Sequence, residues 1–162
     1  MDMPLPTEPL TAAYLARRGV APQWRGFVRA LLDTLDDHLD PAARDALLGA
    51  VGRRMADAMP LPHCDTLAEL EARINDALAA ADWGYCELAV DAAERRLVVL
   101  HFAAPVIASA GEATGRWVAA VLEGLYAVWL AGQPGADPSL VPQLAAYAPG
   151  SATLHYGREA AA

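Results

Sequence analysis

Four histidines, His38, His63, His101 and His155, are the side chains best suited to proton transfer or metal binding near neutral pH. Their spacing offers neither: none stands four residues from another on a helical run, and His63 adjoins Cys64, so those two side chains diverge. Asp36, Asp37 and Asp40 make a local group of carboxylates. They fall opposite an apolar stripe, where carboxylates face solvent, whereas a hydrolytic pair must flank a bond at a set separation in a cleft. Ser109 lies in Ala-Ser-Ala-Gly rather than G-x-S-x-G. Gly111 and Gly115 are too sparse for a dinucleotide or phosphate loop. Glu123 is the one ionisable residue that stands out, since Ala119, Ala120, Tyr126 and Ala127 surround it at helical spacing. It reads either as a carboxylate of raised pKa in a dry site or as the partner of an arginine, Arg116 or one from another subunit. No catalytic residue, cofactor or metal ion is expected.

The elements that must position these residues are legible from periodicity. Residues 1–22 hold Pro4, Pro6 and Pro9 and read as an extended arm, with a short helix over Thr11 to Arg18; residues 23–162 read as a single domain. Trp24, Phe27, Val28, Leu31, Leu32, Leu35 and Leu39 form one apolar helical stripe. Asp40-Pro41 restarts a helix with Leu47, Leu48, Val51 and Met55 inward. Thr66 followed by Glu69 has capping-box spacing, ahead of Leu67, Leu70, Ile74 and Leu78. At Trp83-Gly84 the period changes to two, so Tyr85 to Asp91 and Arg96 to Ala103 read as a hairpin. Leu97 to Leu100, apolar on both faces, implies a central strand covered on each side. Ala113 to Ala131 reads as a long helix apolar nearly all round, which must be buried all round. Leu140 to Ala148 and Ala152 to Tyr156 read as a second strand pair, with Pro142 confining the first to an edge.

Composition limits the partners. A formal net charge of −8, with twelve arginines and no lysine, repels polyanions and argues against nucleic acid. The two cysteines, Cys64 and Cys86, are too few for a disulfide framework. The beginning lacks the basic and apolar regions of a signal peptide, and no run is long enough to span a bilayer, so a cytoplasmic location is expected. A hydrophobic share of 55% exceeds that of an ordinary soluble domain and suggests apolar surface that another subunit covers.

The segments Asp82-Trp83-Gly84-Tyr85, Ser109-Ala110-Gly111-Glu112-x-x-Gly115-x-Trp117-x-Ala119-x-Val121-Leu122-Glu123-Gly124-Leu125-Tyr126-x-x-Trp129 and Gln133-Pro134-Gly135-Ala136 resemble the D subunit of bacterial cellulose synthase. Weaker similarity runs back through Gly52-Arg53-x-Met55-Ala56 and Leu61-Pro62-x-Cys64-x-Thr66, covering roughly residues 24–136. The resemblance implies a cytoplasmic accessory protein without catalytic activity, an octamer built from dimers, with passages for nascent β-1,4-glucan. It further implies a place beside the membrane-embedded synthase complex, a proline-rich accessory protein as partner, and a part in ordering crystalline cellulose. The N-terminal segment departs from the family pattern, so no glucan contact is carried over residue by residue. The residues themselves offer Tyr14, Arg17, Arg18 and Trp24, because sugar rings stack on aromatic faces while guanidinium groups bond hydroxyls; alternatively, Trp24 is simply the first core residue of its helix.

The expected protomer is therefore α+β: N-terminal helices, an antiparallel sheet, and the 113–131 helix packed between that sheet and a neighbouring subunit of a homo-oligomer. Gly115 and Gly124 would admit a close-approaching backbone, while Trp117, Glu123, Leu125, Tyr126 and Trp129 would form core or subunit packing. The competing reading is a small-ligand module with a pocket between helix and sheet.

Overall fold

The computed structural model describes residues 19–158. Four helices, α1 (Pro22–His38), α2 (Pro41–Ala58), α3 (Leu67–Ala81) and α4 (Trp117–Ala131), accompany four strands, β1 (Tyr85–Asp91), β2 (Arg96–Phe102), β3 (Gln143–Ala148) and β4 (Ser151–Tyr156). The class is α+β, with one antiparallel sheet in the order β1-β2-β4-β3. The arm's short helix and Tyr14, Arg17 and Arg18 lie outside the described residues.

Local chemistry sets most boundaries. Asp40 accepts the Ala43 N–H at 2.8 Å with Pro41 in the first turn, starting α2. Thr66 Oγ1 accepts the Glu69 N–H at 3.1 Å, and the Glu69 carboxylate reaches back one residue beyond the cap, to the Asp65 N–H. The long helix begins at Trp117 rather than at 113. Gly115 has φ of +75°, a conformation that side-chain-bearing residues rarely adopt, and the Glu112 carboxylate gathers the Thr114 and Arg116 N–H groups ahead of the first turn.

The register of β2 places Leu97, Val99 and His101 on one face with Cys86, Leu88, Ala152 and Leu154. Against that face pack Leu70, Ile74 and Leu78 of α3 and Val118, Leu122, Leu125, Tyr126 and Trp129 of α4. β2 is central, as its two-sided apolar run implies, yet only one side is fully covered. Val98 and Leu100 point the other way and are half-buried, beside Tyr85, which is 49% exposed and stacked on Phe102. Tyr126, Leu122, Leu125, Val99 and Leu154 pack into the space between α4 and the sheet and are fully buried.

The opposite side of α4 is covered by the same chain. Ala120 and Val121 meet Leu32 of α1 and Leu48 of α2 in a second cluster, so a neighbouring subunit is not what hides this helix. The α2–α4 crossing is the most extensive helix pairing among the described residues and rests on glycines. A Cβ at Gly124 would collide with the Gly49 carbonyl, and one at Gly52 with the Val121 carbonyl. The backbone that Gly124 admits is thus that of α2, not of another subunit.

Both sheet edges are occupied at particular positions by helix side chains, which limits pairing with another strand there. Asn75 donates to the Cys86 carbonyl and accepts the Cys86 N–H, while Glu71 accepts the Leu88 N–H at 2.6 Å on the β1 edge. On β3, Glu123 accepts the Leu144 N–H at 2.7 Å beside the register shift between Leu144 and Ala146.

Two glycine substitutions test this crossing. Gly52→Ala is expected to destabilise by about 1–3 kcal/mol through overpacking. Gly26→Ala, on α1 with no neighbour within 4 Å of the added carbon, is expected to stabilise by about 0.5–1 kcal/mol. Urea denaturation of both variants reads the contrast; equal effects would contradict the packing described.

Candidate functional site

Several of the residues able to carry chemistry hold α4 in place. His101 on β2 is fully buried; its Nδ1 lies 2.8 Å from the Tyr126 hydroxyl and its Nε2 2.9 Å from the Trp83 carbonyl. A carbonyl can only accept, so Nε2 carries the proton and donates, and the Tyr126 hydroxyl donates to Nδ1. Burial pushes the imidazole down to about 4, and the Trp83 carbonyl offsets this only in part. His101 is therefore neutral and sealed from solvent. Burial also raises the neighbouring Cys86 thiol to about 12, which leaves it protonated and unreactive.

The other α4 candidates serve the same end. The Trp129 indole donates to the Met59 carbonyl and the Trp117 indole to the Ile107 carbonyl, both at 2.9 Å. Leu125, Tyr126 and Trp129 are core residues, Trp117 is half-buried, and Gly115 sits in the loop before the helix. Glu123 follows the first of its two readings in the direction of its pKa, and not the second. Desolvation raises its pKa, while the partner it holds is the Leu144 N–H rather than an arginine. It lines a small polar recess of about 220 Å³ with Arg116, Arg44 and Asp45. Asp36, expected as plain surface, pairs with Arg44 at 2.7 Å and ties α1 to α2.

Several large apolar side chains remain accessible on the first two helices. Only Leu32 of α1 is buried, so the stripe read as a core face is split. Val28 and Leu35 pack inward, whereas Trp24 (57% exposed), Phe27 (59%) and Leu31 (44%) face outward at i, i+3 and i+7. Trp24 is not a core residue; its ring meets Phe27 edge-on at 5.8 Å. Leu47 and Val51, one turn apart on α2, are exposed as well. The sequence shows this stripe plainly, but periodicity cannot say which of its residues the protomer covers.

Two ionisations with opposite signs test the buried groups. His101 is neutral in both folded and unfolded chains above about pH 6.5; below that the unfolded chain takes up the proton first. Its stabilisation is thus lost as pH falls from 6.5 toward 4, by up to about 1.4 kcal/mol per pH unit. Thermal melts across that range should show the slope, reduced in His101→Gln. Glu123 acts the other way, because its folded pKa lies above the unfolded 4.5 and the folded state loses stability as pH rises through that window. Glu123→Gln keeps an acceptor for Leu144 without the charge, so it should melt higher than the parent at pH 7 and match it below about pH 4.5. A lower melting point at pH 7 would contradict this reading.

Comparison with known proteins places this architecture. The family described as the D subunit of cellulose synthase matches residues 10–157. A cellulose synthase operon protein D from Komagataeibacter xylinus is 41% identical over 115 residues, covering 71% of this chain and 74% of the relative. The protein of the same name from Komagataeibacter sucrofermentans is also 41% identical over 115 residues, with the same coverage. Another from Komagataeibacter xylinus is 36% identical over 115 residues, again with 71% and 74% covered. With nearly the whole described fold inside the matched region, the chain belongs to the family of cellulose synthase D subunits.

Proposed function

We propose that the protein is a non-catalytic, self-associating accessory subunit of bacterial cellulose synthesis that helps order nascent β-1,4-glucan chains beside the synthase complex. Family membership and the relatives' names support the pathway. The observation that carries self-association is the outward stripe of Trp24, Phe27 and Leu31, with Leu47 and Val51 exposed on the next helix. Exposed aromatic and aliphatic side chains at helical spacing favour association, because covering them removes apolar area from water. The support comes from α1 and α2, not from α4, whose apolar circumference is already hidden.

The finer reading follows from the resemblance: an octamer built from dimers, a cytoplasmic position near the membrane synthase, and a proline-rich accessory protein as a further partner. Trp24 is the glucan-contact candidate within the described residues, and its exposure leaves a ring face available to a sugar. The roles found for His101 and Glu123 are structural hydrogen bonds, which fits a scaffold better than an enzyme.

Native mass spectrometry at micromolar concentration should find an oligomer. Phe27→Glu combined with Leu31→Glu should reduce it to smaller species while leaving the melting point within about 4 °C, since both side chains are exposed. In a cellulose-producing bacterium lacking its own protein of this family, the parent should restore crystalline cellulose and the double variant should not. A parent that stays a single copy, or a double variant that assembles and complements fully, would overturn the proposal.

A further inference from the structure

The sheet has a second face that the described residues leave open. Val98, Leu100 and Phe102 of β2 point there together with Tyr85 of β1, and none of the four belongs to either core cluster. A strand apolar on both faces is typical of sheets covered on both sides. The open face is uneven in height. Its β1–β2 half carries the large side chains Tyr85, Val98, Leu100 and Phe102, whereas its β4–β3 half carries Ser151, Thr153, Ala146 and Ala148. It is also poor in charge: Asp91 and Arg96 pair with each other at 3.1 Å at the turn end and, His155 apart, only Glu87 on the β1 margin adds another charge-bearing group. Four strands of six or seven residues present about 400 Å² in projection before side-chain relief is counted. That is of the order of the about 600 Å² per partner at which specific interfaces begin.

We propose that a second copy of this chain packs on this face, sheet against sheet, about a two-fold axis running along the strands between β2 and β4. That axis lays the high half of each copy on the low half of the other. Leu100 then meets Thr153 of the second copy and Tyr85 meets its Ala148, and each contact occurs twice. The strands of the two sheets stay aligned, about 10 Å apart, as in a sandwich. A two-fold axis across the strands would instead set large side chains on large ones and bring the two Glu87 carboxylates together, which is repulsive. The inference deepens the self-association proposed above but uses the side of the protomer opposite the α1 and α2 stripe, so either contact can fail alone.

The axis sets Glu87 of one copy over Ala146 of the other, whereas within one chain these residues lie on the two outer strands, β1 and β3. Sedimentation equilibrium of the full chain carrying Phe27→Glu and Leu31→Glu, which removes the stripe contact, should still show a dimer. Adding Ala146→Glu should weaken that dimer at least about tenfold, and adding Ala146→Arg should not. Glu87→Arg together with Ala146→Glu should restore it. All four positions are exposed, so melting points should stay within about 4 °C. Single copies alone in the Phe27→Glu, Leu31→Glu chain would overturn the sheet contact and leave the stripe reading standing. If the stripe reading is the one at fault, those two changes leave the parent's mass unaltered and Ala146→Glu alone lowers it. A dimer indifferent to Ala146→Glu, equal weakening by Ala146→Glu and Ala146→Arg, or no rescue by Glu87→Arg would each overturn the proposal. A lowered melting point without a change in mass would also overturn it, by making residues 1–18 or 159–162 of the same chain the cover.

Discussion

The close crossing of α2 on α4 is the constraint from which the rest of the structure follows. Helix backbones come this near only where no Cβ stands between them, and Gly52 and Gly124 provide that room. Once α2 lies on α4, Ala120 and Val121 are sealed against Leu48 and Leu32, and the reverse face of α4 is committed to the sheet and α3. A helix apolar nearly all round is then accommodated inside one protomer. The sandwich α2–α4–sheet does what a second subunit would otherwise have to do.

Polar groups inside this sandwich act as fasteners. The chain of Trp83 carbonyl, His101 and Tyr126 hydroxyl links the strand–helix junction before β1 to β2 and α4 without a net charge. Each group is satisfied, so burial lowers the imidazole pKa without leaving an orphan. Glu123 shows the cost of the same strategy with a charged group. It secures the Leu144 N–H on the edge strand, and desolvation raises its pKa in return. Asn75 and Glu71 secure the other edge. Their positions direct any association toward side-chain surfaces rather than toward strand addition at those backbone groups.

The consequence for function is a division of labour along the chain. The sheet, α3 and α4 make the core, while α1 contributes little to it beyond Leu32 and is tied down by Asp36 to Arg44 and by Asp33, which accepts the Ala110 N–H at 2.7 Å. That leaves an aromatic and aliphatic face on α1. The buried ionisable groups belong to the core that holds this face in place.

Much of this was legible in the residues. Capping at Asp40 and Thr66, the period change at Trp83-Gly84, the hairpin, the central β2 and the edge position of β3 all follow from interactions spanning a few residues, which local sequence records. The motif from Ser109 to Trp129 carried the family resemblance. Other features depended on contacts distant in the chain. Periodicity shows that α4 must be covered but not by what, and Gly124 shows that a backbone approaches but not whose. The same limit applies to Trp24, Phe27 and Leu31, which share one stripe with Leu32 yet end up outside. Local propensity and spacing thus determined the elements and their order; which apolar faces were used up inside the protomer was decided only by tertiary packing, because burial is a property of the surfaces that meet and not of either one alone.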